Sequence, residues 1–469
     1  MNLVETGENR TKPQGLIVAG MGGGSGKSVV SVGLTAHFAA SHRKVYPFKK
    51  GPDYIDAGWL QLAAGVPCYN LDPYLMEKED LLLSFYSRAA GAAICLIEGN
   101  RGLYDGVDVD GSFSTAELAL QLDLPVLLVV DCTKTTRTVA ALVLGCLKLD
   151  PAVCIRGVVL NRIGGARHES IVRQSVEKYT GVPVLGAIPR MKRDIFPMRH
   201  LGVTPFQEYE GADEAITTLT GIARQHLDLA AVEQIMEPVE IPEKFRLEEP
   251  VASSLDRVRI GVLRDAAFQF YYPENFKALE RAGADLVEIN SLTAPELPDI
   301  HGLYIGGGFP ETSIRYLSAN ISFRKSIKDM AKKGLPIYAE CGGLIFLGRK
   351  IILDGESFPL VDLFPVEFSL QKKPQAHGYT VLEAGPGNPF YKQGTQIKGH
   401  EFRYSRVDEW PGSPEDLTMD MKRGVGFVDK RDGLVYKNVL ALYTHIHAVG
   451  TPEWAPALIT RAREFKKKG

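Results

Sequence analysis

No Cys-x-x-Cys pair occurs in the 469-residue chain, and its six cysteines are scattered at 68, 95, 132, 146, 154 and 341. That spacing supports neither a disulfide framework nor a zinc site, and a reducing, cytoplasmic compartment is expected. Charge of one sign is also lacking: 54 Lys and Arg against 56 Asp and Glu leave a formal net charge of −2. Nothing in that balance draws the chain as a whole to nucleic acid or to an anionic membrane. Long apolar runs are missing too, the longest being strand-length and well short of the roughly 20 residues that span a bilayer. The opening MNLVETGENRTKPQG is polar and lacks the apolar centre of a secretion signal. A content of 45% hydrophobic and 23% charged residues is that of a folded globular chain.

What is present is two series of short apolar runs. Leu16–Ala19, Ala93–Ile97, Val126–Val130 and Gly157–Leu160 form the first, and Arg259–Leu263, Leu286–Ile289, Gly302–Ile305 and Pro336–Ala339 the second. They are rich in Val, Ile and Leu and do not alternate with polar residues, the pattern of parallel strands covered on both faces. Segments of helical length separate them, so each series predicts a doubly wound α/β domain. Residues 228–257, with Pro238, Pro242, Pro250 and many acids, read as a linker with a short helix at its start. Domains of 1–227 and 258–469 follow, in keeping with a chain too long for one core.

The first run enters Gly20-Met21-Gly22-Gly23-Gly24-Ser25-Gly26-Lys27-Ser28, and a helical stretch follows. Strand, glycine loop and helix are the context of a phosphate-binding P-loop. The glycines let backbone N–H groups turn toward phosphate oxygens, and the helix N-terminus adds partial positive charge. Lys27 can reach the β and γ phosphates, and Ser28 can ligate Mg²⁺. One residue more than usual separates Gly20 from Gly26. Acids for a metal are offered by Asp53, by Glu98 at the end of Cys95-Leu96-Ile97, and by Asp131 at the end of Leu127–Val130. An acid at a strand end serves equally well as a helix cap.

In the second half, Pro336-Ile337-Tyr338-Ala339-Glu340 leads to Cys341-Gly342-Gly343 and then an apolar helical run. This is a nucleophile elbow with sulfur in place of hydroxyl. The turn exposes the thiol, and the helix start favours its thiolate. Gly306-Gly307-Gly308 follows the strand Leu303-Tyr304-Ile305, where Gly307 and Gly308 N–H groups can form an oxyanion hole or a tight turn. A histidine base is expected from His377, His400, His445 or His447. The last two share one face of a strand, and spacing does not choose between them.

A P-loop half joined to a Cys-Gly-Gly half resembles an ATP-using synthetase fused to a class I glutamine amidotransferase. Six further segments look like the cobyrinate a,c-diamide synthase family, in that family's order: Lys49 with Gly51–Asp56, Asn70–Asp72, Glu98–Gly106, Gly306–Glu311, Ala339–Gly343 and Gly399–Phe402. The resemblance covers roughly Gly15 to His447. It implies a first domain similar to dethiobiotin synthetase, in which ATP and Mg²⁺ phosphorylate a substrate carboxylate. Gly20, Gly24, Gly26, Lys27 and Ser28 would hold ATP, Asn161 its adenine, and Ser28, Asp53 and Glu98 the metal. Lys27 and Lys49 would stabilise the transferring phosphoryl group, with Tyr54, Asp56, Arg101 and Asp105 on the substrate side. In the second domain Cys341 would attack glutamine and His445 would be its catalytic histidine. The glutamate of the ordinary Cys-His-Glu triad is usually missing in this branch. Ammonia would then displace phosphate from the acyl phosphate. The partners implied are glutamine and an anionic tetrapyrrole, and a homodimer is compatible with the reading. The same chemistry on sirohaem or nickel-sirohydrochlorin is the alternative, and a P-loop regulatory switch ATPase is the reading from another class. Lys50, Asn100-Arg101, Thr444, Ala448 and the polar, basic 131–137 segment depart from the family pattern and bear on substrate identity.

Overall fold

The computed structural model describes residues 12–191, 196, 198–199, 202–245 and 256–468. The chain divides into two compact units, Met1–Glu248 and Glu249–Gly469. The first unit is a parallel sheet wound with helices. Its elements are β1 (Gln14–Gly20), α1 (Lys27–Ala40), β2 (Val45–Lys50), α2 (Ile55–Ala64), β3 (Tyr69–Leu71), α3 (Lys78–Ala89), β4 (Ile94–Glu98), α4 (Thr115–Leu122) and β5 (Val126–Asp131). They continue with α5 (Thr138–Leu149), β6 (Ile155–Ile163), α6 (Ala166–Thr180), β7 (Val184–Pro189), α7 (Ala212–His226) and α8 (Leu229–Ile235). The strand order is β3-β2-β4-β1-β5-β6-β7. Each strand of this path pairs in parallel with its neighbours.

The stretch read as a linker is partly built into this unit. Asp228 caps α8 by accepting from Ala231 N–H, and Glu237–Pro238 pairs antiparallel with Gln14-Gly15 at the start of β1. Residues 246–255 of that stretch, and residues 1–11 of the polar N-terminus, lie outside the described residues.

The second unit is built on a six-stranded sheet. Val258–Leu263, Ala284–Ile289, Gly302–Ile305, Ile337–Glu340 and Val439–Leu442 are parallel, and Leu434–Tyr436 is antiparallel at one edge. The runs are continuously apolar because both faces are covered. Leu303, Ile305, Ile337, Ala339, Val439 and Ala441 enter one core, while Tyr304, Tyr338, Leu440 and Leu442 enter the other. Trp454 sits in the latter core, with its ring centroid 5.0 Å from Tyr304 and 5.6 Å from Tyr338. A four-stranded mixed sheet and a five-stranded antiparallel sheet accompany this α/β framework. Among the described residues no helix is long and apolar enough to cross a membrane.

Leu440 is fully buried in the same core as Trp454. Leu440→Ala is expected to cost about 2–5 kcal/mol through the cavity it leaves. Urea unfolding followed by tryptophan fluorescence checks this, and an unchanged midpoint would contradict a two-faced core.

Candidate active sites

In the first unit the reactive side chains stand where strands end. Lys49 on β2 is the register neighbour of Glu98 on β4, and Glu98 is the neighbour of Val18 on β1. The loop after β1 opens α1, which brings Ser28 to the same place. Lys49 is 1% exposed and Glu98 fully buried. Lys49 Nζ donates to Glu98 Oε1 at 3.1 Å, to Asp56 Oδ2 at 2.9 Å and to the Gly99 carbonyl at 3.1 Å. Glu98 also accepts from Ser28 Oγ at 2.9 Å and from Ser31 Oγ. Ser28 Oγ lies 3.4 Å from Asp56 Oδ1, and Asp53 Oδ1 accepts the Asp56 N–H at 2.9 Å. Asn70 holds this turn by donating to the carbonyls of Gly51 and Asp53.

The charges in this cluster do not balance. Burial alone would depress the Lys49 ammonium, but the fields of Asp56 and Glu98 outweigh it and hold its pKa above the ordinary lysine value. Burial pushes Glu98 up, and burial with the Asp56 charge pushes Asp53 up to about 6. Asp56 is held low despite burial, chiefly by Lys49. Three carboxylates thus share one buried lysine, with Lys27 near by. A cation would relieve the excess. Among the described residues no three His, Cys, Asp or Glu side chains converge tightly enough to hold a metal by themselves.

The phosphate loop is shaped by contacts that exclude side chains. A Cβ on Gly20 would fall 2.1 Å from Ser25 Oγ. Gly26 has φ +98°, and a Cβ there would fall 2.0 Å from Asn161 Nδ2, whereas Gly24, at φ +73°, faces open space. Lys27 Nζ donates to the carbonyls of Gly22 and Arg101, at 3.1 and 2.7 Å. Burial and the Lys49 charge lower its pKa. Leu103 N–H donates to the Gly20 carbonyl, so the 99–106 loop lies against the phosphate loop.

Other expected residues are placed differently. Asn161, read as an adenine contact, donates to the Ser25 carbonyl at 2.9 Å and braces the phosphate loop. Asp131 accepts from the Thr133 N–H and hydroxyl and pairs with Arg162, outside the Lys49 cluster. Asp56, assigned to the substrate side, stands among the metal candidates. Tyr54 is half-buried at the start of α2. Arg101 and Asp105 are exposed, and Asp105 Oδ2 accepts the Gly102 N–H at 2.7 Å. Ser31 was not singled out from the sequence. Its signal was its spacing of three from Ser28, which puts both on one helix face.

In the second unit the chain turns sharply at Cys341, with φ 45° and ψ −96°, between the strand Ile337–Glu340 and the helix Gly342–Leu347. Positive φ in a non-glycine residue is strained and is a feature of such elbows. Cβ atoms on Gly342 and Gly343 would press on the Gly308 N–H, at 3.1 Å, and on the Ile305 carbonyl, at 2.6 Å. Gly308 is therefore against the elbow, and its N–H donates to no protein acceptor among the described residues. Gly307 is packed under the imidazole of His445, whose Cε1 would lie 2.2 Å from an added Cβ.

His445 is the histidine at the thiol. It is buried, with Nδ1 3.4 Å from Glu340 Oε2. Burial would lower its pKa, but Cys341 and Glu340 raise it to about 10. The other candidates lie elsewhere. His400 stacks on His445 at a centroid distance of 4.9 Å, and burial holds its pKa well below the usual histidine value. His447 turns to Glu274, 3.6 Å away, under the Tyr272 ring. His377 is exposed and packs on Phe402.

Residues 16–201 match the family model of the CobQ/CobB/MinD/ParA nucleotide binding domain, and residues 259–452 that of the CobB/CobQ-like glutamine amidotransferase domain. A nucleotide-binding unit and an amidotransferase unit in one chain make this a glutamine-dependent, amide-forming ligase. The chain is 41% identical, over 95% of its length and 96% of the relative's, to cobyrinate a,c-diamide synthase of Magnetococcus marinus. It is 37% identical, over 97% and 98%, to the protein of the same name from Archaeoglobus fulgidus, and 36% identical, over 96% and 99%, to that of Caldanaerobacter subterraneus. The chain belongs to the cobyrinate a,c-diamide synthase family.

The raised pKa of His445 has a stability consequence. A histidine whose folded pKa lies above its unfolded value stabilises the fold fully below the unfolded pKa and loses that contribution as pH rises through the folded one. Resistance of the second unit to urea is therefore expected to fall between about pH 6.5 and about 10. His445→Ala should flatten that slope, and an equal slope in both proteins would contradict a buried imidazolium.

Proposed function

We propose that the protein amidates the a and c acetate carboxylates of a cobyrinic-acid-like tetrapyrrole, with ATP as phosphoryl donor and glutamine as nitrogen donor. The observation that carries this reading is the presence, in one chain, of two reaction centres. One is a phosphate loop beside a lysine–carboxylate cluster, and the other a strained cysteine beside a buried histidine that faces a buried glutamate. The name shared by the full-length relatives supports the ring as substrate.

A carboxylate resists attack by ammonia because it is anionic and has no leaving group. Transfer of the γ-phosphoryl group to a carboxylate oxygen supplies one, forming an acyl phosphate and ADP. Backbone N–H groups of residues 20–26 hold the phosphates, and Lys27 and Lys49 offset the negative charge on the transferring group. The low pKa of free Lys27 rises once phosphate oxygens face it. Ser28, Asp53 and Glu98 would hold Mg²⁺, which when bound offsets phosphate charge. Asn161 sits on the nucleotide side through its bond to the loop. Tyr54, Arg101 and Asp105 serve the ring, while Asp56, bonded to Lys49, stands with the metal-side carboxylates.

In the second unit the Cys341 thiolate attacks the side-chain amide carbon of glutamine. Gly307 and Gly308 N–H groups receive the developing oxyanion. His445 passes a proton to the leaving nitrogen as the C–N bond breaks, releasing ammonia and leaving a γ-glutamyl thioester that water hydrolyses to glutamate. Ammonia adds to the acyl phosphate carbonyl, the bond to phosphate oxygen breaks, and amide and inorganic phosphate result.

The substrate is tested by offering cobyrinic acid, sirohaem, and sirohydrochlorin with and without nickel, each with ATP, Mg²⁺ and glutamine. Mass spectrometry counts the exchanges of hydroxyl for amino group. Two on cobyrinic acid alone are expected. Exchange only on a sirohaem-type ring would move the substrate, and none on any ring would favour a switch ATPase. The division of labour is tested by two variants. Cys341→Ala should abolish synthesis from glutamine and keep synthesis from free ammonia. Lys27→Ala should lower synthesis from either source by roughly 10²-fold or more, the scale of a lost transition-state charge contact. Normal ammonia-dependent turnover in Lys27→Ala would show that the phosphates bind elsewhere.

A further inference from the structure

Glu340 is a fully buried carboxylate at the end of the strand that leads into Cys341. Burying a carboxylate without a cation is costly. Among the described residues no lysine or arginine pairs with it, and the only basic side chain at ion-pair distance is His445, Nδ1 to Oε2 at 3.4 Å. Glu340 is itself held in place. Its Oε1 accepts the Ile446 N–H at 3.4 Å, and its Oε2 faces the Tyr304 hydroxyl at 3.4 Å. Tyr304 in turn accepts from Asn275 Nδ2 at 3.2 Å, and Asn275 Nδ2 and Oδ1 bond to the backbone of Ile446 and Ala448. The network thus ties the carboxylate to the backbone that follows His445.

We infer that Glu340 is the positioning carboxylate of the glutamine site, orienting His445 from the residue immediately before the nucleophile. This rests on the assignment of Cys341 and His445 above. A carboxylate at Nδ1 holds the proton on that nitrogen, turns the other ring nitrogen toward sulfur and favours the imidazolium that forms beside a thiolate. His447, two residues beyond His445, is not available for this task, because it faces Glu274. The resemblance implied a cysteine–histidine pair without its carboxylate. The geometry points to a carboxylate delivered from the nucleophile's own strand.

The groups that face His445 are Cys341 and Glu340 on the elbow and its strand, stacked His400 on the neighbouring strand and the Phe270 ring. Burial and then the His445 charge hold His400 well below the usual histidine value, and the carboxylate that raises His445 is Glu340. The test is Glu340→Gln in the full chain, read by glutamine hydrolysis, by synthesis from glutamine and from ammonia, and by alkylation of Cys341 with iodoacetamide across pH. The kcat for glutamine is expected to fall by roughly 10²-fold or more, with KM little changed and ammonia-dependent synthesis retained. The alkaline limb of kcat/KM should move down by about one pH unit or more, the size of effect of an opposite charge within a few ångströms. A limb that stays in place, whatever the loss of rate, would overturn the proposal in favour of a purely structural carboxylate. If the variant does not fold, the wild-type alkylation profile decides. A second rise in Cys341 reactivity well above the ordinary histidine range supports Glu340, and a rise near pH 6.5 overturns it. Cys341→Ala separates the two layers. Glutamine use surviving in that variant would remove the site itself, whereas its loss there with a wild-type Glu340→Gln would remove only the role of Glu340.

Discussion

A strand in a covered parallel sheet has no free face, and this constraint governs both units. Leu303 and Ile305 point into one core and Tyr304 into the other, so a reactive group within such a strand would be entombed in hydrocarbon. Chemistry is confined to the residues at which the backbone leaves the sheet. Lys49 and Glu98 are each at or next to a strand's last residue, Ser28 lies in the first turn after one, and Cys341 is the first residue past one. The glycines of both loops follow from the same constraint. The chain must reverse within a few residues while helices press from both sides, and at Gly26 and Gly343 a Cβ would collide with a side-chain amide or a backbone carbonyl.

Each centre then solves a different electrostatic problem with buried groups. In the first unit acids outnumber the buried lysine, and burial pushes Glu98 and Asp53 toward their neutral forms. That surplus suits a site that works only when a cation and a nucleotide are both present, since carboxylates, metal and phosphates compensate one another. In the second unit the charges close on themselves. Burial works against a charge on His445, but its sulfur and carboxylate neighbours raise its pKa and favour the cation. Such a pair is poised before substrate arrives, which matters because glutamine is neutral and brings no charge to assemble the site.

Much of this was legible in the chain, for a physical reason. Continuous Val-, Ile- and Leu-rich runs reveal doubly covered strands, and glycine loops beside them reveal where the backbone turns, so the P-loop, Glu98 and the Cys341 elbow could be found from local pattern. The five-stranded antiparallel sheet of the second unit could not, because Ala376–Ala384 and Gln396–Arg403 mix polar, glycine and apolar residues without a clean period. Spacing did not choose among the histidines, and His445 was singled out by the family resemblance alone. His445 and His447 alternate in a way that fits one strand face, but the strand ends at Ile446 and His447 turns to Glu274. Glu340 was hidden for a related reason. Its meaning depends on the register that places Glu340 opposite Leu442 and His400 opposite His445, and register is a property of pairing that no single segment carries.

The departures from the family pattern acquire a physical order from the same reasoning. Arg101 and Lys134 are exposed, and Arg137 lies over the Tyr179 ring with its guanidinium 4.8 Å from the centroid, so all three can be kept or lost at little cost to the fold. Lys50 is different. It is buried one residue beyond Lys49, and burial lowers its pKa, with the charge of Asp72 opposing that and the charge of Lys49 adding to it. A second lysine so placed costs stability that an apolar residue would not, because two ammonium groups on consecutive positions repel and neither is hydrated. The fixed charge that offsets part of this cost is Asp72, next to the Leu71 that pairs with Lys50 in the sheet.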